Sequence, residues 1–123
     1  MRYDSHKQII GWALLLGLVL TPALAIASED AGKTVNVALS EYKIDMPHTL
    51  TAGATTFTVT NTGSKKHTLE IKGNGIDEKL KSALNQGESG TMQVVVKPGT
   101  YTVSCPVGDH EHKGMTMQIK VTP

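Results

Sequence analysis

The chain has 123 residues, a formal net charge of +1 and 39% hydrophobic residues, enough for one compact domain with a single core. That balance excludes a disordered chain and a protein with many membrane spans, and it lacks the basic excess that draws nucleic acid. From Ser28 onward ten lysines balance ten acidic residues, so any steering of a partner must come from local patches.

The first segment reads as an address. Arg2 and Lys7 precede an uncharged stretch from Ile9 to Ala27, with Pro22 and small residues at Ala23, Ala25 and Ala27, and then come Ser28, Glu29 and Asp30. This is the pattern of a secretory signal over residues 1–27, cleaved after Ala25 or Ala27. Left uncleaved, the same stretch would just span a bilayer as an anchor. Either outcome exports residues 28–123, to the periplasm or another exported location, because the positive charges hold the N-terminus inside. Arg2 has no arginine neighbour, which argues against the twin-arginine route, and no cysteine stands near the cleavage site to carry a lipid.

Beyond Ser28 the hydrophobic period is two. Val35, Val37 and Leu39 alternate with polar residues, as do Phe57 and Val59 in a threonine-rich stretch. Asn61, Gly63 and Ser64 mark a loop, after which His67, Leu69 and Ile71 form another row. Met92, Val94 and Val96 follow, and Pro98-Gly99 turns the chain into Tyr101, Val103 and Cys105. The last row is Met115, Met117, Ile119 and Val121. Such rows predict half-buried strands, and this many short strands in one small domain predict an all-β antiparallel sandwich or barrel. Only residues 76–84 suggest a helix, with Ile76, Leu80 and Leu84 at fourfold spacing.

Cys105 is the single cysteine, so it cannot form an intramolecular disulfide in a domain bound for an oxidising compartment. A free thiol there must be buried or ligated. Downstream of it stand His110 and Met115, at five-residue intervals in a loop between two strands, and far upstream His67 opens another strand. Two imidazoles and a thiolate near one plane, with a weak thioether on the axis, are the ligand set of a blue-copper site. Zinc also accepts cysteine and histidine, but a structural zinc site takes more thiolates and has little use for a methionine. Strand parity agrees: His67 shares the inward row of Leu69 and Ile71, Cys105 that of Tyr101 and Val103, and Met115 that of Ile119.

The pieces Asn61-x-Gly63, His67 and Cys105-Pro-x3-His110-x4-Met115 resemble the cupredoxin family of small blue copper proteins. The resemblance spans roughly Val35 to Val121. It implies a Greek-key β-sandwich holding one type 1 copper ion through His67, Cys105, His110 and Met115, and shuttling between Cu(I) and Cu(II). Redox protein partners are then expected, with no substrate and no enzymatic activity; membrane contact is expected only through an uncleaved N-terminal segment. Two features depart from the family pattern. Thr68 follows the first histidine where Asn or Ser often stands, and Lys65, Lys66, Asp109, Glu111 and Lys113 give the ligand loops more charge than an apolar docking face carries. The competing function is copper storage, delivery or resistance, to which Met46, His48, His112 and Met117 could contribute.

Overall fold

A computed structural model describes residues 32–123, together with Gly17. The proposed signal or anchor lies outside the described residues. The described residues form nine strands: β1 (Lys33–Ser40), β2 (Lys43–Asp45), β3 (Thr49–Thr51), β4 (Gly53–Asn61), β5 (Glu70–Gly73), β6 (Ile76–Lys79), β7 (Ser89–Val96), β8 (Gly99–Ser104) and β9 (Thr116–Thr122). They make two sheets, one of four strands in the order β2-β1-β4-β7 and one of five in the order β3-β9-β8-β5-β6. The alternation read from the sequence is what closes them on each other. Val35, Val37, Leu39, Phe57, Val59, Met92, Val94 and Val96 face inward from the first sheet, and Leu50, Ile71, Tyr101, Val103, Ile119 and Val121 from the second; all are buried. The expected all-β sandwich is therefore the architecture of the chain.

Two pairings are parallel rather than antiparallel: β1 with β4, and β3 with β9. The chain leaves β1 by the hairpin to β2, crosses to the other sheet for β3, and returns as β4 beside β1. A sheet-crossing connection brings a strand back in the direction of an earlier one, which local alternation does not encode.

The expected helix at 76–84 is absent, and no described residue is helical. Asn74 and Gly75 both have positive φ, 50° and 80°, and they join β5 to β6 with Gly73 opposite Ile76. Asn-Gly between two strands favours a two-residue hairpin turn whose twist matches the strands. Past β6 the chain bends, so Leu80 and Leu84 are buried, with Leu80 N–H donating to Leu69 O (3.1 Å). Their fourfold spacing reflects two separate returns to the core, not one helical face. Beside the Asn74-Gly75 turn, where Asn74 Nδ2 donates to Thr100 O (3.4 Å), the Tyr101 hydroxyl accepts from Lys97 N–H and donates to Lys97 O, both at 2.9 Å. This closes the Pro98-Gly99 turn, where Gly99 at φ 147° occupies a region open chiefly to glycine.

Candidate metal centre

Three of the four expected ligands sit at strand ends of the five-stranded sheet. His67 lies three residues before β5 and forms an isolated antiparallel bridge with Leu84. Its N–H donates to Leu84 O (3.1 Å), and Leu84 N–H returns a bond to His67 O (2.7 Å). Cys105 continues β8, and Met115 leads into β9 one step beyond the Ser104–Thr116 pair; Cys105 N–H donates to Met115 O (3.0 Å). His110 lies in the turn between them. Its N–H donates to Val107 O (3.0 Å), while its carbonyl accepts from Met115 N–H (3.1 Å). The loop is thus stitched to itself and to the strand pair below it.

These placements bring three donors together. The Nδ1 atoms of His67 and His110 lie 3.8 and 3.7 Å from Cys105 Sγ, and the two rings are 4.9 Å apart between centroids. Among the described residues, His67, Cys105 and His110 form the one group of three potential nitrogen, sulfur or carboxylate ligands, their ligand atoms all within 4.8 Å of one another. His48 and His112 are exposed and join no such group. Met115 is fully buried beside Cys105, whereas Met117, two residues on, is half-buried.

The spacing fits a bound ion. Metal–nitrogen bonds of about 2.0–2.1 Å and a metal–sulfur bond of about 2.3 Å, opened to about 120°, hold nitrogen and sulfur about 3.8 Å apart. Both histidines turn the same ring atom, Nδ1, toward the thiol. Burial and the neighbouring His67 ring lower the pKa of His110 below its ordinary value of 6.5, which keeps it in the neutral, metal-binding form.

The other sheet supplies the clamps. Asn61, at the end of β4, is fully buried. Its Nδ2 donates to Lys65 O (2.7 Å) and Leu84 O (2.8 Å), and its Oδ1 accepts from Gly63 N–H (2.9 Å). It therefore ties together the loop that enters His67 and the segment that bridges to it. The turn between β1 and β2 holds Glu41 and Tyr42. Glu41 Oε1 accepts from Ser64 N–H (2.6 Å) and Lys65 N–H (2.8 Å) and lies 3.5 Å from His67 Nε2. These backbone donors, Lys65 first, hold the Glu41 carboxyl down to about 2. The Tyr42 ring meets His110 edge-on at 5.6 Å, and Lys113 Nζ both sits 4.9 Å from the Tyr42 ring centre and donates to its hydroxyl (3.3 Å).

Glu41 and Tyr42 escaped the sequence reading, since nothing in a turn's composition says where its side chains reach. Thr68, the departure noted above, contributes through its backbone: its N–H lies 3.5 Å from Cys105 Sγ as a donor. Its hydroxyl is buried with no hydrogen-bond partner, so it makes no bridge to the cysteine loop.

Solved structures of similar architecture include dithionite-reduced auracyanin from the photosynthetic bacterium Roseiflexus castenholzii, with TM-score 0.63 and 21% identity over 76% of this chain and 99% of that one. The chain has the cupredoxin fold. Another structure similar to this cupredoxin sandwich is auracyanin A, a "blue" copper protein from Chloroflexus aurantiacus, with TM-score 0.59 and 18% identity over 72% and 98% of the two chains. A multicopper oxidase also shares the fold, with TM-score 0.57 and 20% identity, but only 42% of its chain is covered. No family model matches the sequence, and no curated protein is significantly similar to it.

Proposed function

We propose that the protein is an exported carrier of single electrons in which His67, Cys105 and His110 would hold one copper ion, with the Met115 thioether as a fourth, weak ligand. The observation that carries this is the convergence of two imidazole Nδ1 atoms on one buried thiol at 3.7 and 3.8 Å. Bound copper would supply the one-electron Cu(I)/Cu(II) couple, with thiolate and thioether favouring the reduced state and imidazole tolerating both.

The chain's part is to hold the donors still. Backbone bonds fix His67 to Leu84, Cys105 to Met115 and Met115 to His110, so neither oxidation state can choose its own geometry and little rearrangement separates them. The Thr68 N–H directed at Sγ withdraws charge from the thiolate. Burial of His67 and Cys105 (0% exposed) favours a resident ion over one passed on, which weighs against storage or delivery. His110, at 9% exposure, offers a ring edge near the surface for electrons to leave by. Lys65 and Lys66 are exposed close to this end, a patch suited to an acidic redox partner whose encounter rate would fall with salt. Export rests on the charge and apolar pattern of residues 1–27.

The test is the visible and paramagnetic-resonance spectrum of the full chain with one equivalent of Cu(II). An intense blue thiolate-to-copper band is expected, bleached by reduction and abolished in Cys105→Ser. His110→Ala should lose or grossly alter it, while His112→Ala leaves it intact. A fully loaded but colourless protein would overturn the proposal.

A further inference from the structure

The turn joining β1 to β2 is built in a way that turn formation alone does not explain. Ser40 pairs with Lys43, leaving Glu41 and Tyr42 as a two-residue connection. Tyr42 has φ 61°, a left-handed conformation that glycine or asparagine adopts readily and a bulky aromatic residue does not. Strain of this kind persists where surrounding contacts over-determine it. Here those contacts lead to both histidines of the metal centre: Tyr42 stands edge-on to His110, and Glu41 reaches His67.

The His67 contact is specific. Nε2 of His67 is fully buried and makes no hydrogen bond of ordinary geometry, yet a carboxylate oxygen stands 3.5 Å away. That oxygen is itself held in place by two backbone N–H groups. Its seat is cleared by Gly63, where a Cβ would come within 2.5 Å of Glu41 Oε1. A buried donor atom, an oriented carboxylate and a glycine that makes room for it are three separate features converging on one contact. Carboxylates opposite the free nitrogen of a ligating imidazole fix its tautomer and raise its basicity.

We propose that Glu41 is the positioning residue of the metal centre: it accepts the Nε2–H of His67, keeps the Nδ1 lone pair turned toward Cys105, and sets the reduction potential through its fixed negative charge. The effect on potential rests on the copper assignment above; the tautomer does not. A negative charge beyond the imidazole stabilises Cu(II) more than Cu(I), so removing it raises the potential. Neither Lys113 nor Lys65 cancels this charge by pairing with it, since Lys113 is engaged with Tyr42 and Asp109 and Lys65 meets Glu41 through its backbone.

Two measurements on the full-length protein test this. In the metal-free protein, two-bond proton–nitrogen correlation spectra should show His67 with its proton on Nε2, and Glu41→Ala should turn it into a tautomer mixture. A parent His67 carrying its proton on Nδ1, or a tautomer indifferent to Glu41→Ala, overturns the inference. In the copper-loaded protein, Glu41→Gln keeps the size and an acceptor oxygen for the loop but loses the charge. The blue band should remain while the Cu(I)-to-Cu(II) affinity ratio rises on the order of tenfold, about 59 mV for a one-electron couple. An unchanged potential refutes the charge role. A colourless parent would sink the copper assignment alone, and the tautomer spectra would then decide the inference by themselves.

Discussion

Removing the Asn61 side chain should cost the domain about 2–3 kcal/mol and loosen the metal centre as well. Asn61 is fully buried and its side chain makes three hydrogen bonds of 2.7–2.9 Å. At a net contribution of roughly 1 kcal/mol each, their loss amounts to about 3 kcal/mol. The figure does not climb further, because two of the three abandoned groups retain other partners. Leu84 O still accepts from His67 N–H, and Gly63 N–H still reaches Leu39 O (3.2 Å). Urea unfolding of metal-free Asn61→Ala should therefore show a midpoint lower by about 2 M, taking an m-value of roughly 1–1.5 kcal/mol per M for a domain this small. Asn61→Asp separates hydrogen bonding from packing. It has the same shape and keeps the acceptor for Gly63, but it directs a carboxylate at two carbonyl oxygens and should lose at least as much as alanine. Copper affinity should fall in both variants, because Leu84 O is the atom that Asn61 and His67 share. A midpoint shift worth less than about 0.5 kcal/mol in Asn61→Ala, or an Asn61→Asp variant as stable as the parent, would refute this account.

The two methionines of the last strand should divide cleanly. Met115→Leu should keep the blue colour and raise the potential, by about 59 mV for each tenfold change in relative affinity. Met117→Leu should cost less than about 1.5 kcal/mol and leave the potential where it was; cyclic voltammetry with the opposite pattern would transfer the axial role to Met117. Acid should weaken the domain through Glu41, whose carboxyl is held at about 2 against an ordinary 4.5. A lowered folded-state pKa gives stability that is present above pH 4.5 and lost as pH falls through about 2. The unfolding midpoint of Glu41→Gln should accordingly fall less over that window than the parent's, and parallel curves would contradict it.

Strand parity was legible in the sequence because a half-buried sheet repeats every two residues. His67, Cys105 and Met115 fall on the inward rows that alternation assigns them, and all three are buried. Parity was less informative leading into β5, where Thr68 and Glu70 are buried as well, although Lys72, the next residue on their face, is exposed. The fourfold spacing of Ile76, Leu80 and Leu84 suggests a helix, but Asn74-Gly75 just before it is a local turn signal that wins. The parallel pairings and the reach of Glu41 and Tyr42 are of another kind. They depend on which segments meet after the sheets close, and no spacing along the chain records that.

The donor atoms belong to one sheet and its loop, whereas Asn61, Glu41 and Tyr42 belong to the other. The proposed donors and the groups that clamp them are therefore written in different stretches of the gene. On the proposed copper reading, substitutions in the β1–β2 turn can move the potential in small steps while the 105–115 loop keeps its donors. Under the proposed function, a lineage meeting a new redox partner could retune the protein through that turn without passing through a form that has lost a donor.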